Sequence, residues 1–521
     1  MTNRKNPSFA ASAGTVSIAT AFSRILGLIR EQVQAYFFGA GMATDAFVMA
    51  FRVPNLLRDL FAEGALSSAF VPIFKDKMVK RGDAEAFRLA NLTISALILI
   101  VGMTVALGII FSPAIIYITA HGFTSDPTKF TLTVAMTRLM FVYLLLVSVS
   151  AVLMGMLNSF GRFGIPALSP ALFNVGMILA PVLLYKYFSV PIYTMAIGVI
   201  VGGIGQLVFQ IPSLIRAGFR FKFAVDFADE GLRRIGRLIS PMILGLSASR
   251  INILISTLLA SMLVEGAMSH LNYAYRLMHF PLGVFGVALG TVTLPKVSDE
   301  AARNDVKQLV RTFHEAIGLS MFLVIPSAVY LAGFSEDLVR LIYQRGAFGA
   351  DATIQTAKAL YFYAFGLIGF AGVRVAAPVF YALGDAKGPM YYSIITVLLN
   401  IILNFAFIPL WDFAGLAAAT SLAGLVNLLL LLYFIRFKIS GIDYLYIAVH
   451  TLKILLGSIA ALLIVKSINL DFIFPPINIW NKISIVGCQI IGIAVIYMAI
   501  LQILGVNEVK KILRLLRLIK R

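Results

Sequence analysis

Arginine inside apolar runs constrains this chain more than any other feature. Arg24, Arg30, Arg52, Arg58 and Arg276 lie within stretches otherwise built to sit in lipid. A charge at the bilayer centre costs about 2.5–3.5 kcal/mol on insertion scales, so five left bare would cost on the order of 12–17 kcal/mol. Such groups are tolerated where they line a wet cavity, pair with carboxylates or meet an anion. The chain therefore reads as a membrane carrier whose cargo is negatively charged.

Of the 521 residues, 60% are hydrophobic and 13% charged, against roughly 25% charged in a soluble domain. About fourteen segments reach the roughly 20 apolar residues that a spanning helix needs. They are 14–38, 43–74, 89–118, 131–157, 164–188, 193–215, 238–264, 270–295, 312–334, 355–382, 389–410, 413–435, 445–466 and 480–504. Strands of alternating polarity, the signature of a membrane barrel, are absent from the sequence. Helices satisfy their own backbone groups in lipid, so the expected fold is an all-α polytopic membrane protein with 14 transmembrane helices.

The net charge of +19 could suggest nucleic acid, but its distribution points to a membrane. Of 43 Lys and Arg, 27 fall at the termini and in alternate connections, among them five within 75–88, six within 216–237 and six within 507–521. The other connections hold six: Lys129, Lys186, Arg340, Arg345, Lys466 and Lys482. This is the positive-inside pattern. It places both termini in the cytoplasm and requires an even number of spans. The single cysteine, Cys488, excludes an internal disulfide and reads as apolar filler. The first apolar run is too long for a signal peptide and carries Arg24 and Arg30, so it reads as a retained helix.

The chain repeats itself at a spacing of about 224 residues. Ser23-Arg24 recurs as Ser249-Arg250, Ala50-Phe51-Arg52 as Ala274-Tyr275-Arg276, Val71-Pro72 as Leu294-Pro295, and Gly161 and Pro166 as Gly384 and Pro389. Six spans fit in each copy, and an even number gives both copies the same orientation. The expected design is two six-helix lobes in a parallel pseudo-two-fold repeat, with cargo held between them near mid-membrane. The divisions are 1–222 (N-lobe, spans 1–6), 223–438 (C-lobe, spans 7–12), 439–506 (two extra spans, 13 and 14) and a basic amphipathic tail at 507–521, suited to anionic inner-leaflet lipid.

Arg24 and Arg30 are six apart, roughly 600° around a helix, and so point to one broad side. The second span carries Asp45, Arg52, Arg58, Asp59 and Glu63. Arg52 and Asp59, seven apart, share a face, and Asp59 and Glu63 lie one turn apart. This charge reads as a water-lined wall, in which Asp45, Arg52, Asp59 and Glu63 are supporting cavity charges; an internal ladder of ion pairs is the plainer reading. Pro54 in this span invites a bend. In the eighth span Arg276 precedes Pro281, Gly283, Gly286 and Gly290, a bendable run, and His279 reads as packing filler. Arg250 and Arg374 read as lobe-internal pairs or minor cavity charges. Arginines outnumber carboxylates along the wall, and guanidinium forks match phosphate oxygens. There is no Walker motif and no HExxH or multi-cysteine cluster, so neither nucleotide hydrolysis nor a metal is expected. A transporter rather than an enzyme is the reading.

The run FSRILGLIREQVQAYFFGAGMATDAFVMAFRVPNLLRDLFAEGALSSAFVPIF at 22–74 resembles the first two helices of the MurJ (MviN) lipid II flippases, of the multidrug/oligosaccharidyl-lipid/polysaccharide (MOP) exporter superfamily. YRLMHFPLGVFGVALGTVTLPKVS at 275–298 resembles their eighth helix. The resemblance implies a bacterial inner-membrane flippase that moves lipid II, an undecaprenyl-diphosphate-linked disaccharide pentapeptide, from the inner to the outer leaflet. A flippase for another polyprenyl-diphosphate-linked oligosaccharide is the alternative. It implies that Arg24, Arg30, Arg58 and Arg276 match the family's essential arginines and grip the diphosphate, that Asp45 matches its conserved acidic position, and that spans 13 and 14 form a groove for the lipid tail. Sodium-site positions of some relatives are matched here by Ser256 and Asn404, beside Asn252 and Asn400, a departure from their acidic residues. The membrane potential or a monovalent ion would drive transport, with no cofactor, and cell-wall synthesis enzymes would be its partners.

Overall fold

The computed structural model describes residues 9–61, 65–468 and 478–509. Glu63 and the tail beyond 509 lie outside the described residues. In chain order the helices are α1 (Phe9–Phe38), α2 (Met42–Phe61), α3 (Ala65–Arg81), α4 (Asp83–Ile110), α5 (Ser112–Thr119), α6 (Pro127–Ser159), α7 (Gly164–Leu184), α8 (Tyr193–Val208), α9 (Ile211–Ile215) and α10 (Glu230–Ser261). They continue as α11 (Ala267–Pro281), α12 (Val287–Ala302), α13 (Val306–Gly333), α14 (Ser335–Tyr343), α15 (Ala350–Ala382), α16 (Lys387–Trp411), α17 (Phe413–Ile435), α18 (Tyr444–Ser467) and α19 (Ile479–Ile503). No strand occurs among the described residues.

Eleven helices among the described residues are long and apolar enough to cross a membrane. The expected spans at 14–38, 43–74 and 238–264 are not among them, and they fall on α1, α2 with α3, and α10. On the first two, ionised side chains dilute the apolar run: Arg24, Arg30 and Glu31 on α1 and four charges on α2; on α10 the described stretch Asn252–Ser261 is a shorter apolar helix. Pro54 is accommodated inside α2. Where Pro281 and its glycines suggested a pliable segment, Leu282–Gly286 forms a π-helical turn joining α11 to α12.

The chain forms two compact units, one of residues 1–269 with 345–348 and one of 270–344 with 349–521. The division at 222/223 follows the sequence repeat; by packing, α10 belongs to the first unit, where it lies on α2 and α3. In that unit α2 and α4 pack on α6, α1 on α7, and α7 on α8. Small residues set the α7–α8 crossing. A Cβ at Gly176 would lie 2.4 Å from the Gly202 nitrogen, and one at Gly202 would lie 2.6 Å from the Phe173 carbonyl. Gly198 and Gly202, four apart, thus let α8 approach α7 closely. Phe51, Tyr143 and Phe173 pack together beside this crossing.

In the second unit α13, α15, α17, α18 and α19 enclose a core that includes Phe313, Phe322, Phe380 and Tyr497. The Tyr497 hydroxyl donates to the Phe322 carbonyl at 2.8 Å. A Cβ at Gly369 would meet Gly424 carbonyl carbon at 2.4 Å, so α15 and α17 also touch backbone to backbone. Leu398, Ile402 and Phe405 of α16 face outward, as do Leu452 and Leu456 of α18 and Ile490 and Ile491 of α19, as expected of lipid-facing helices. Starts are capped by side chains: Asp126 accepts from Thr128 N, Asp443 from Tyr446 N and Asn478 from Asn481 N, satisfying donors that the helices leave open.

Candidate functional site

The charges of α1 divide into one held and one open. Arg30 pairs through Nη2 with Glu31 Oε1 and donates through Nη1 to Asn174 Oδ1 at 3.1 Å. Asn174 Nδ2 in turn donates to the Ser23 carbonyl at 3.1 Å, so one amide of α7 grips α1 at two levels. Glu31 is buried and takes up part of the Arg30 charge. Arg24, almost two turns earlier, is exposed and bonds to no described residue.

The charges of α2 form a seam along α10. Arg52 Nη1 donates to Thr257 Oγ1 at 2.7 Å, and Arg250 Nη1 meets Asp59 Oδ2 at 2.9 Å. Rising numbers on α2 meet falling numbers on α10, so the two helices run antiparallel. Both residue pairs are spaced by seven, which keeps them on one face of each helix. Asp59 Oδ1 also takes Arg58 Nη2 at 3.0 Å, making one carboxylate the partner of two guanidiniums. The plainer reading of the second span, an ion-pair ladder, thus accounts for part of its charge.

Asp45 stands apart from that cluster. It is 1% exposed and takes Lys129 Nζ at 2.9 Å. Its oxygens also accept from Gly266 N at 2.8 Å, Ser269 N at 2.9 Å and Ser269 Oγ at 2.6 Å. The carboxylate caps the backbone donors that open α11, a favourable site for an anion. Sequence reasoning put Lys129 in an outer connection; it is buried at the start of α6, with Nζ 4.1 Å from the Phe123 ring centroid.

In the second unit Arg276 is exposed on α11. One turn on, the His279 ring lies 3.9 Å from that of Tyr275 and its Nδ1 contacts the Tyr275 carbonyl at 3.1 Å, the packing role expected of it. Arg374 is exposed on α15, and its backbone carbonyl would lie 2.9 Å from a Cβ at Gly290. Asn404 Nδ2 donates to Asn400 Oδ1 at 3.4 Å, both side chains being buried. Asn252 and Ser256, on α10, are half-buried in the first unit. Among the described residues no three His, Cys, Asp or Glu are placed to hold a metal ion.

Within this part of α1, α2 and α10 there are five guanidiniums, Arg24, Arg30, Arg52, Arg58 and Arg250, and the carboxylates paired with them are two, Glu31 and Asp59. The surplus is positive. Asn174 and Thr257 complete this arrangement and escaped sequence reasoning. Asn174 was visible only as a polar residue in apolar α7, and Thr257 only as the residue seven beyond Arg250.

Eleven apolar helices of spanning length define a polytopic membrane protein, and the fold agrees. A solved inward-facing multidrug resistance MATE family transporter of the MOP superfamily aligns with TM-score 0.68 over 82% of this chain and 98% of that one; at 15% identity this likeness concerns the fold alone. The family model described as lipid II flippase MurJ matches residues 34–477, and the chain belongs to that family. It is 33% identical to the probable lipid II flippase MurJ of Buchnera aphidicola over 95% of this chain and 96% of the relative. It is 35% identical to the lipid II flippase MurJ of Burkholderia cenocepacia over 81% and 83%. A solved structure, lipid II flippase MurJ in an inward closed conformation, matches with TM-score 0.78 and 28% identity over 94% of this chain and 98% of that chain.

Proposed function

We propose that this chain flips lipid II, the undecaprenyl-diphosphate-linked disaccharide pentapeptide, from the inner to the outer leaflet of the bacterial inner membrane by alternating access. The observation that carries the reading is the guanidinium surplus on α1, α2 and α10 in a chain of this family. Arg24, Arg30, Arg58 and Arg276 supply forks for the diphosphate oxygens, with Arg52 in support. Arg24 and Arg276 are the exposed members of the set. Binding must stay modest for release, and Asp59 and Glu31 compete with the cargo for the same donors. The polyprenyl tail stays in lipid, along α18 and α19.

Fourteen spans in two six-helix lobes, with both termini cytoplasmic, fit the positive-inside pattern. Carrying an anionic head outward moves negative charge toward the positive side, worth about 2.3 kcal/mol per charge per 100 mV. The membrane potential is therefore a sufficient driving force. Asn252, Ser256, Asn400 and Asn404 offer oxygens without a carboxylate, so a monovalent ion there would lack a counter-charge.

The test is leaflet sidedness of lipid II in intact cells that depend on this chain. Its depletion, or collapse of the potential, should leave lipid II inaccessible from outside. Unchanged access on depletion would refute the reading. In vesicles, transport of another polyprenyl-diphosphate glycan in preference to lipid II would reassign the cargo.

A further inference from the structure

Asp59 is shared by two arginines, Arg58 at 3.0 Å and Arg250 at 2.9 Å, and Arg250 is the more exposed of the two, 29% against 22%. Arg250 meets Asp59 Oδ2 end-on through Nη1 alone, at 2.9 Å. Its Nε is buried without an acceptor, and no other described residue bonds to its fork. A guanidinium prefers two parallel bonds to one oxyanion, so this geometry leaves most of its donors idle. The side chain is 29% exposed and hence open to an incoming group, whereas that of Asp59 is 12% exposed. Arg52–Thr257 holds the same seam one heptad away.

We propose that Arg250 is a further ligand of the cargo diphosphate, with Asp59 as the carboxylate that holds it when no cargo is bound. The inference rests on the flippase reading above and adds a residue to it. The diphosphate draws the Arg250 fork from Asp59 into a two-bond grip, while Asp59 keeps Arg58. On release Asp59 recovers Arg250, and this competition limits how tightly the anion is held. A purely structural ion pair would make both residues matter for stability alone.

The test uses the full chain in detergent, titrated with purified lipid II and read by native mass spectrometry, with flipping measured after reconstitution. Arg250→Ala should weaken binding about tenfold, the equivalent of about 1.4 kcal/mol. Arg250→Lys, which keeps charge but loses the fork, should fall between. Asp59→Asn should bind several-fold more tightly yet flip more slowly, a result that loss of a structural contact would not produce. Arg24→Ala serves as the control for the site itself. Normal affinity in Arg250→Ala, or weaker affinity in Asp59→Asn, overturns the assignment if Arg24→Ala has lost binding. If Arg24→Ala also binds normally, the flippase site itself is misplaced. Should Arg250→Ala not fold, Arg250→Lys and Asp59→Asn decide the matter.

Discussion

Asp45 on α2 and Lys129 at the head of α6 form a buried ion pair, Nζ to Oδ2 2.9 Å, that also caps the start of α11. Through these bonds the carboxylate ties α2 to the head of α6 and to the start of α11. Removing one partner of a buried pair strands the other and costs about 3–5 kcal/mol. Asp45→Ala and Lys129→Ala should each lower the thermal unfolding temperature of the purified protein by this measure, and the double variant by less than their sum. Additive losses would mean that the two do not act as a pair.

Asn174 positions Arg30 through one bond and α1 through another. Each is worth about 0.5–1.5 kcal/mol. Asn174→Leu should insert normally, lose modest stability and flip lipid II about tenfold more slowly, because the Arg30 fork loses its orientation. Wild-type rates in reconstituted vesicles would contradict this.

The α7–α8 crossing has no room for a methyl group at Gly176 or Gly202. Overpacking of this kind costs about 1–3 kcal/mol. Gly176→Ala and Gly202→Ala should each unfold at lower temperature, while Gly102→Ala, where a Cβ meets nothing within 4 Å, should not. Equal behaviour of all three would contradict the close approach.

Asp385, between α15 and α16, accepts from Gly388 N at 2.9 Å and pairs with Lys438 Nζ at 2.9 Å; these hold its carboxyl below the usual 3.8. A depressed folded-state value means a contribution that is complete above the unfolded value and lost as pH falls through the lower one. Stability of the wild type relative to Asp385→Asn should therefore be constant from pH 8 to about pH 5 and shrink below about pH 4. A difference that changes near neutrality would assign the effect to another group.

Much of the fold was legible because lipid permits few solutions. Apolar runs of spanning length gave the helices, and Pro281 with its glycines marked the π-turn. Charges in those runs stood out in the sequence, but their distant partners did not. Arg30 reaches Asn174 across 144 positions and Arg52 reaches Thr257 across 205. Periodicity tells which face a residue occupies, not what lies opposite. Lys129 shows the same limit. A lysine at a helix start looks solvated until a carboxylate 84 positions earlier is found beside it.

The most direct test of the central claim is flipping of labelled lipid II by purified protein in vesicles, comparing wild type with Arg24→Ala and Arg276→Ala. The account predicts rapid transfer by the wild type and almost none by either variant, with insertion and unfolding temperature unchanged. Full transfer by both variants would show that these guanidiniums do not carry the diphosphate.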